Sequence, residues 1–354
     1  MRRFWFRDLY RIDSVAGVRS VIARVLLAVG VPLLGGVSLG HCSAAVAGGA
    51  TALFVTLSDI GSSARQRLGT MFAALLMILA GGALGHLVGE TPYTRETIVL
   101  ACALLAGWAS AAHPGIAVVT RFFAVAAAAA TGMRFADPDV LASVVVGGIS
   151  AFASAMLVWH LSGMPPQKNV MDWRAGVRRA FHGSGAGLRF TLCYAAAAAV
   201  ALFAAGFLGV KEPFWATLVV LMVMRREGLV SFELTIHYAL GTIVGVIAGA
   251  AALRLGQAPM MLATLATLVA AFARVGFAIN PSLGYMAFTM FLLFVTHLGA
   301  SGAAAFPHLL ETRLYDVCVG CTLALAGTLL ATYPRAASPG APASLRGPSQ
   351  AGRS

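Results

Sequence analysis

Apolar residues in this chain gather into runs separated by short polar stretches. The runs lie at about 21–39, 42–57, 68–88, 97–112, 115–131 and 138–161, then at about 188–207, 214–224, 234–253, 259–277, 282–298 and 312–332. Several approach the ~20 residues that a helix needs to cross the hydrocarbon of a bilayer. The second and the eighth are short. Residues 1–20 set Arg2, Arg3, Arg7, Arg11 and Arg19 among Phe4, Trp5, Phe6 and Tyr10, which reads as a cytoplasmic interfacial segment. It lacks the apolar core of a cleavable signal. Residues 163–187 form a basic linker carrying Lys168, Arg174, Arg178 and Arg179 behind Pro165 and Pro166, and residues 333–354, rich in Pro, Ala, Ser and Gly, are expected to be disordered.

The runs predict an all-α, polytopic membrane protein of about twelve transmembrane helices, and their details predict a duplication. Leu68-Gly69-Thr70 follows a polar loop and opens the third run; Leu240-Gly241-Thr242 lies in the ninth, 172 residues on. Gly147 and Gly320 correspond at 173 residues, and Asp13–Arg19 resembles Asp172–Arg178 at 159. Each of the four glycines has a small residue four positions later: Ala73, Gly245, Ala151 and Ala324. Such spacing puts small side chains on one helix face and lets a neighbouring helix approach closely. Gly69, Thr70, Gly241, Thr242 and Gly320 are therefore expected in helix packing. Six helices per unit, over 21–162 and 188–332, make the two repeats parallel, related by an axis along the membrane normal.

Composition agrees. The chain is 59% hydrophobic and 11% charged, against about 25% charged residues in soluble domains, and its mean hydropathy is +0.84. A net charge of +12 raises nucleic acid as a partner, but the arginines sit mostly at the ends of apolar runs, where they set orientation instead. Arg65, Arg67, the linker, Arg225, Arg226 and the tail arginines fall on one side if the N-terminus is cytoplasmic. Arg95, Arg134, Lys211, Arg254 and Arg313 fall on the other, beside six acids. Both termini are thus expected in the cytoplasm. The five cysteines lie in or beside apolar runs; Cys318 and Cys321 are i, i+3 neighbours on one helix, and neither a disulfide framework nor a metal site or other cofactor is expected.

Ionisable residues at membrane depth are costly and mark functional sites or local partners. Arg121 lies between Ala117-Val-Val-Thr120 and Phe122-Phe-Ala-Val125. Its planar fork suits bidentate binding of a carboxylate; alternatively it snorkels from a helix end near Pro114. Arg24 and Arg189, near the starts of their helices, read as anchors. Asp316 either pairs with Arg313 one turn away or carries a proton in exchange for substrate, and His297 could share that role. Asn280-Pro281 marks a break. Trp215 and Phe288 could stack on an aromatic ring, or serve in packing. No serine-hydrolase elbow, zinc-protease motif or phosphate loop occurs, so an enzyme is not expected.

The basic loop before Leu68-Gly69-Thr70, with Arg313-Leu-Tyr-Asp316-Val-Cys-Val-Gly320-Cys-Thr-Leu-Ala-Leu325 opening a last helix, resembles the fusaric-acid-resistance and aromatic-acid-exporter family over about residues 15–332. The resemblance implies a bacterial inner-membrane exporter of aromatic carboxylic acids, often with a periplasmic adaptor; plant malate-type anion channels would be distant relatives. Linker and tail are too small for the soluble cytoplasmic domain of larger members, and the basic residue before the Gly-Thr pair is Arg67 in the first half, whereas the second half offers His237 and Tyr238. The expected function is proton-coupled efflux of small organic anions through a membrane-embedded site. A passive anion channel and a non-transporting scaffold are the alternatives. Expected partners are the anion, lipids and an adaptor; a homo-oligomer is left open.

Overall fold

A computed structural model describes residues 17–61, 63–88, 92–110, 114–130, 137–163, 178, 187–208, 214–299 and 306–332. The segment before 17, most of the basic linker and the tail lie outside the described residues. Each apolar run is a helix: α1 (Val18–Ser38), α2 (Cys42–Leu57), α3 (Ala64–Val88), α4 (Pro92–Ala109), α5 (Pro114–Ala130), α6 (Pro138–Ser162), α7 (Leu188–Phe207), α8 (Phe214–Val223), α9 (Gly228–Leu255), α10 (Pro259–Ile279), α11 (Pro281–Gly299) and α12 (Phe306–Thr332). Among the described residues the fold is all-helical, with no strand. Five helices begin on a proline, whose missing N–H costs nothing in the first turn. Asn280 caps α11 by accepting from Ser282 N at 2.8 Å, so the Asn280-Pro281 break is the turn between α10 and α11. The helices α3, α9 and α12 start four to six residues before their apolar runs, because a helix continues into the polar headgroup layer where the apolar pattern stops.

Among the described residues, eight helices are long and apolar enough to cross a membrane. Large apolar side chains such as Leu27, Phe203, Ile247 and Leu329 stay exposed on them, a surface that lipid covers and water would not. The shorter α2, α5 and α8 sit inside the bundle, and nine of the ten residues of α8 are buried. Within the first six helices α1 packs on α2 and α6, α2 on α6, α3 on α5, and α4 on α5. Within the last six α7 packs on α8 and α12, α8 on α12, α9 on α11, and α10 on α11. Across the two sets α1 meets α10, α4 meets α7, α2 meets α11 and α5 meets α8.

The glycine motif divides. A Cβ at Gly241 would stand 2.5 Å from the Ser282 carbonyl of α11, and one at Gly320 would stand 2.6 Å from Val219 Cβ of α8. Thr242 accepts a hydrogen bond from Thr289 of α11 at 3.3 Å. These three positions pack helix on helix. Gly69 does not: it is exposed, and a Cβ there would meet nothing within 4 Å. The close approach of α3 to α5 falls three turns later, at Gly81 and Gly85, because the start of α3 is occupied with its own preceding loop. Thr70 is fully buried there and donates to the carbonyls of Ile60, 3.0 Å, and Arg67, 2.8 Å, pinning the loop instead of a neighbouring helix.

Candidate functional site

Four interior helices, α2, α5, α8 and α11, meet where the first six helices face the last six, and between them lies a cavity of about 130 Å³. Its walls are Thr51 and Phe54 of α2, Phe122 and Val125 of α5, Trp215 and Leu218 of α8, and Val295 and Thr296 of α11, with side chains of α3 and α6 closing the flank. The lining is almost wholly apolar, as suits the body of a small aromatic molecule. The short lengths of α2 and α8 follow from their place: neither has to present a full lipid-facing surface.

Toward the end of the bundle that carries Arg65 and Arg226, aromatic rings close the cavity. Phe54 stands 5.1 Å from Phe122 and 6.2 Å from Phe288, centroid to centroid. The column continues through Phe277, 6.5 Å from Phe288, to Tyr285, 5.0 Å from Phe277, and Tyr238, 4.7 Å from Tyr285.

Beyond this floor two cations converge. Arg121, 9% exposed, is held one position before Phe122 on α5. Its charge and that of Arg225, in the loop between α8 and α9, act on each other and on the hydroxyls of Tyr194 and Tyr285. Tyr194 spends its own proton on the Leu221 carbonyl at 2.9 Å, leaving its oxygen to face the arginines. Arg121 Nε is buried and meets no hydrogen-bond partner among the described residues. Burial, then the like charge of Arg121, lowers Arg225 to about 10, with Glu227 opposing more weakly; Arg225 stays charged at neutral pH. Two positive charges amid phenolic hydroxyls set up a local potential that attracts negative charge.

The other expected residues are distributed around this axis. Trp215 lines the cavity, with Phe214 4.5 Å away and the Arg313 guanidinium carbon 3.4 Å from its ring centre, a cation–π contact. Phe288 belongs to the aromatic floor. His297 follows the cavity residue Thr296 and is 7% exposed; Asp316 is 1% exposed on α12, near enough to Tyr238 for its charge to act there. None of Arg121, His297 and Asp316 lines this cavity; Arg121 lies beyond the floor, and Asp316 acts on Tyr238, which pairs with Tyr285 near Arg121.

Arg24 departs from the anchoring role. It is 7% exposed and ion-paired with Asp59, which follows α2 and also takes a bidentate grip from Arg67, Nε to Oδ1 at 2.6 Å and Nη2 to Oδ2 at 2.5 Å. Trp159 of α6 covers both arginines, its ring centre 5.4 Å from the Arg24 guanidinium carbon and 5.0 Å from that of Arg67. Burial would raise the Asp59 carboxyl, but the hydrogen bonds and charges of Arg67 and Arg24 prevail and hold it below the usual carboxylate range. Sequence reasoning missed Asp59, Arg225, Tyr194 and Tyr285 as site residues. The two loop residues read as solvent-side charges, and a tyrosine in an apolar run carries no distinguishing signal.

Residues 198–327, from within α7 to within α12, match the family described as fusaric acid resistance protein-like. The family resemblance is borne out over this stretch, which includes Arg313–Leu325 but not Leu68-Gly69-Thr70, and it points to membrane transport. No curated protein and no solved structure matches the chain.

Proposed function

We propose that this protein exports small organic anions, aromatic carboxylates in particular, across a bacterial inner membrane. The observation that carries the proposal is the pairing of Arg121 with Arg225 beneath an aromatic-floored apolar cavity. The cations attract the carboxylate, and the cavity with Trp215 and Phe54 accommodates the ring. The floor of Phe54, Phe122 and Phe288 separates the two, so transport requires it to part, which favours alternating access over an open channel. Asp316 and His297, both buried beside the path, are the groups we assign to proton coupling. Proton entry would discharge Asp316 as the anion leaves.

In this reading all twelve helices span the bilayer as two parallel six-helix repeats. Every helix pairing named within the first six has a counterpart within the last six, and the contacts across the seam pair up in the same way, which supports a duplication. Both termini are cytoplasmic, Arg121 and Arg225 face the cytoplasm, the cavity faces outward, and a periplasmic adaptor would receive the substrate there.

The test is accumulation of labelled benzoate in cells expressing the chain, with and without an uncoupler. Expression lowers accumulation and the uncoupler restores it. Arg121→Ala abolishes the effect at equal membrane abundance. Accumulation that ignores expression would remove the proposal, and wild-type flux in Arg121→Ala would remove the role of that residue.

A further inference from the structure

At the same end of the bundle as Arg121, but on the far side of α2, a second chamber of about 30 Å³ lies among α1, α2, α6 and α10. Arg24, Arg67 and Arg274 line it with a single acid, Asp59. Both oxygens of Asp59 are already engaged by Arg24 and Arg67. Arg274, from the second set of helices, acts on Asp59 through charge alone. Arg24 is nine-tenths buried, its Nη2 finds only the weak acceptor Met71 Sδ at 3.3 Å, and its Nε finds no partner among the described residues. Among the described residues lining the chamber, three guanidinium groups face one carboxylate.

Water could satisfy a donor here but could not neutralise charge, and an unmatched buried ion costs several kcal/mol. The chamber has space for about two waters or one monatomic anion, and none for an aromatic ring. We propose that it binds one small inorganic anion of halide size, held by Arg24 and Arg274 beneath Trp159. The ion joins α1 to α10, and so ties the first six helices to the last six. The site is distinct from the transport path, and binding there is measured without reference to flux.

The experiment uses the full chain in detergent, titrated with sodium bromide against sodium gluconate at constant ionic strength. The melting temperature rises saturably with bromide. In Arg274→Gln the bromide midpoint weakens at least about tenfold, the loss of one charge-assisted contact, while Arg189→Gln, altered elsewhere, behaves as wild type. Saturable quenching of tryptophan emission by iodide, lost in Trp159→Phe, reports the same site in the wild-type background should Arg274→Gln fail to fold. Identical melting in bromide and gluconate with unsaturable quenching overturns the proposal. So does a bromide effect undiminished in Arg274→Gln, which is bulk salt, or stabilisation by phosphatidylglycerol nanodiscs with none by bromide, which assigns the chamber to a lipid phosphate.

Discussion

Asp59 is the residue on which the most charge depends. Its carboxylate answers Arg24 and Arg67 at once, and removing one partner of a buried ion pair costs about 3–5 kcal/mol because the remaining charge stays buried. Asp59→Asn should lower stability by that order, read from thermal or denaturant unfolding of the purified chain. The sign of its pH dependence follows from the depressed carboxyl. Its stabilisation is complete above the ordinary carboxylate pKa and is lost as pH falls through the lower folded value. Wild type should therefore lose melting temperature in strong acid more steeply than Asp59→Asn, and the two should converge there. At the other cluster, Arg121→Lys keeps the charge of Arg121→Ala's parent but loses the planar fork. Its benzoate efflux should fall between the two, with a weaker apparent affinity.

The glycines separate two uses of one sequence motif at the level of the helix. Gly69 is exposed on α3 with free space around its Cβ position, so Gly69→Ala should raise stability by up to about 1 kcal/mol through helix propensity. Gly320→Ala would drive a methyl to 2.6 Å from Val219 Cβ and 2.7 Å from the Ala216 carbonyl, part of it unyielding backbone. It should lower stability by about 1–3 kcal/mol, measured by unfolding in detergent. Equal effects would mean that α8 and α12 do not touch there. The same contrast shows what the run of residues could not reveal. Leu68-Gly69-Thr70 and Leu240-Gly241-Thr242 read alike, but the first serves the loop that carries Asp59 and the second serves α11. Local spacing states which residues share a face, and leaves open what that face meets.

For the whole molecule, the proposed duplication makes a topological prediction. Single cysteines at positions 65 and 226, in a chain without its five native cysteines, should both react with an impermeant thiol reagent only after the cytoplasmic face is opened. Labelling from opposite faces would make the halves antiparallel and would overturn the transport path along with the architecture. Three of the four interior helices, α2, α5 and α8, are among the short ones. Across the seam α2 meets α11 and α5 meets α8, pairings between helices far apart in the chain, and the four trade lipid-facing surface for cavity wall.

The sequence by itself determined the twelve helices, their ends to within a few residues and the membrane as solvent, because lipid imposes length and apolarity on each segment separately. It also singled out Arg121, Trp215 and Phe288 one at a time, since each stands out against its immediate neighbours. Only the tertiary structure decided that Arg121 and Arg225 act on each other, that Trp215 walls a cavity while Phe288 helps close it, and that Arg24 is buried against Asp59 instead of anchored in headgroups. Those outcomes rest on contacts between residues far apart in the chain, whose distances are fixed by how helices pack and by no property of any single run.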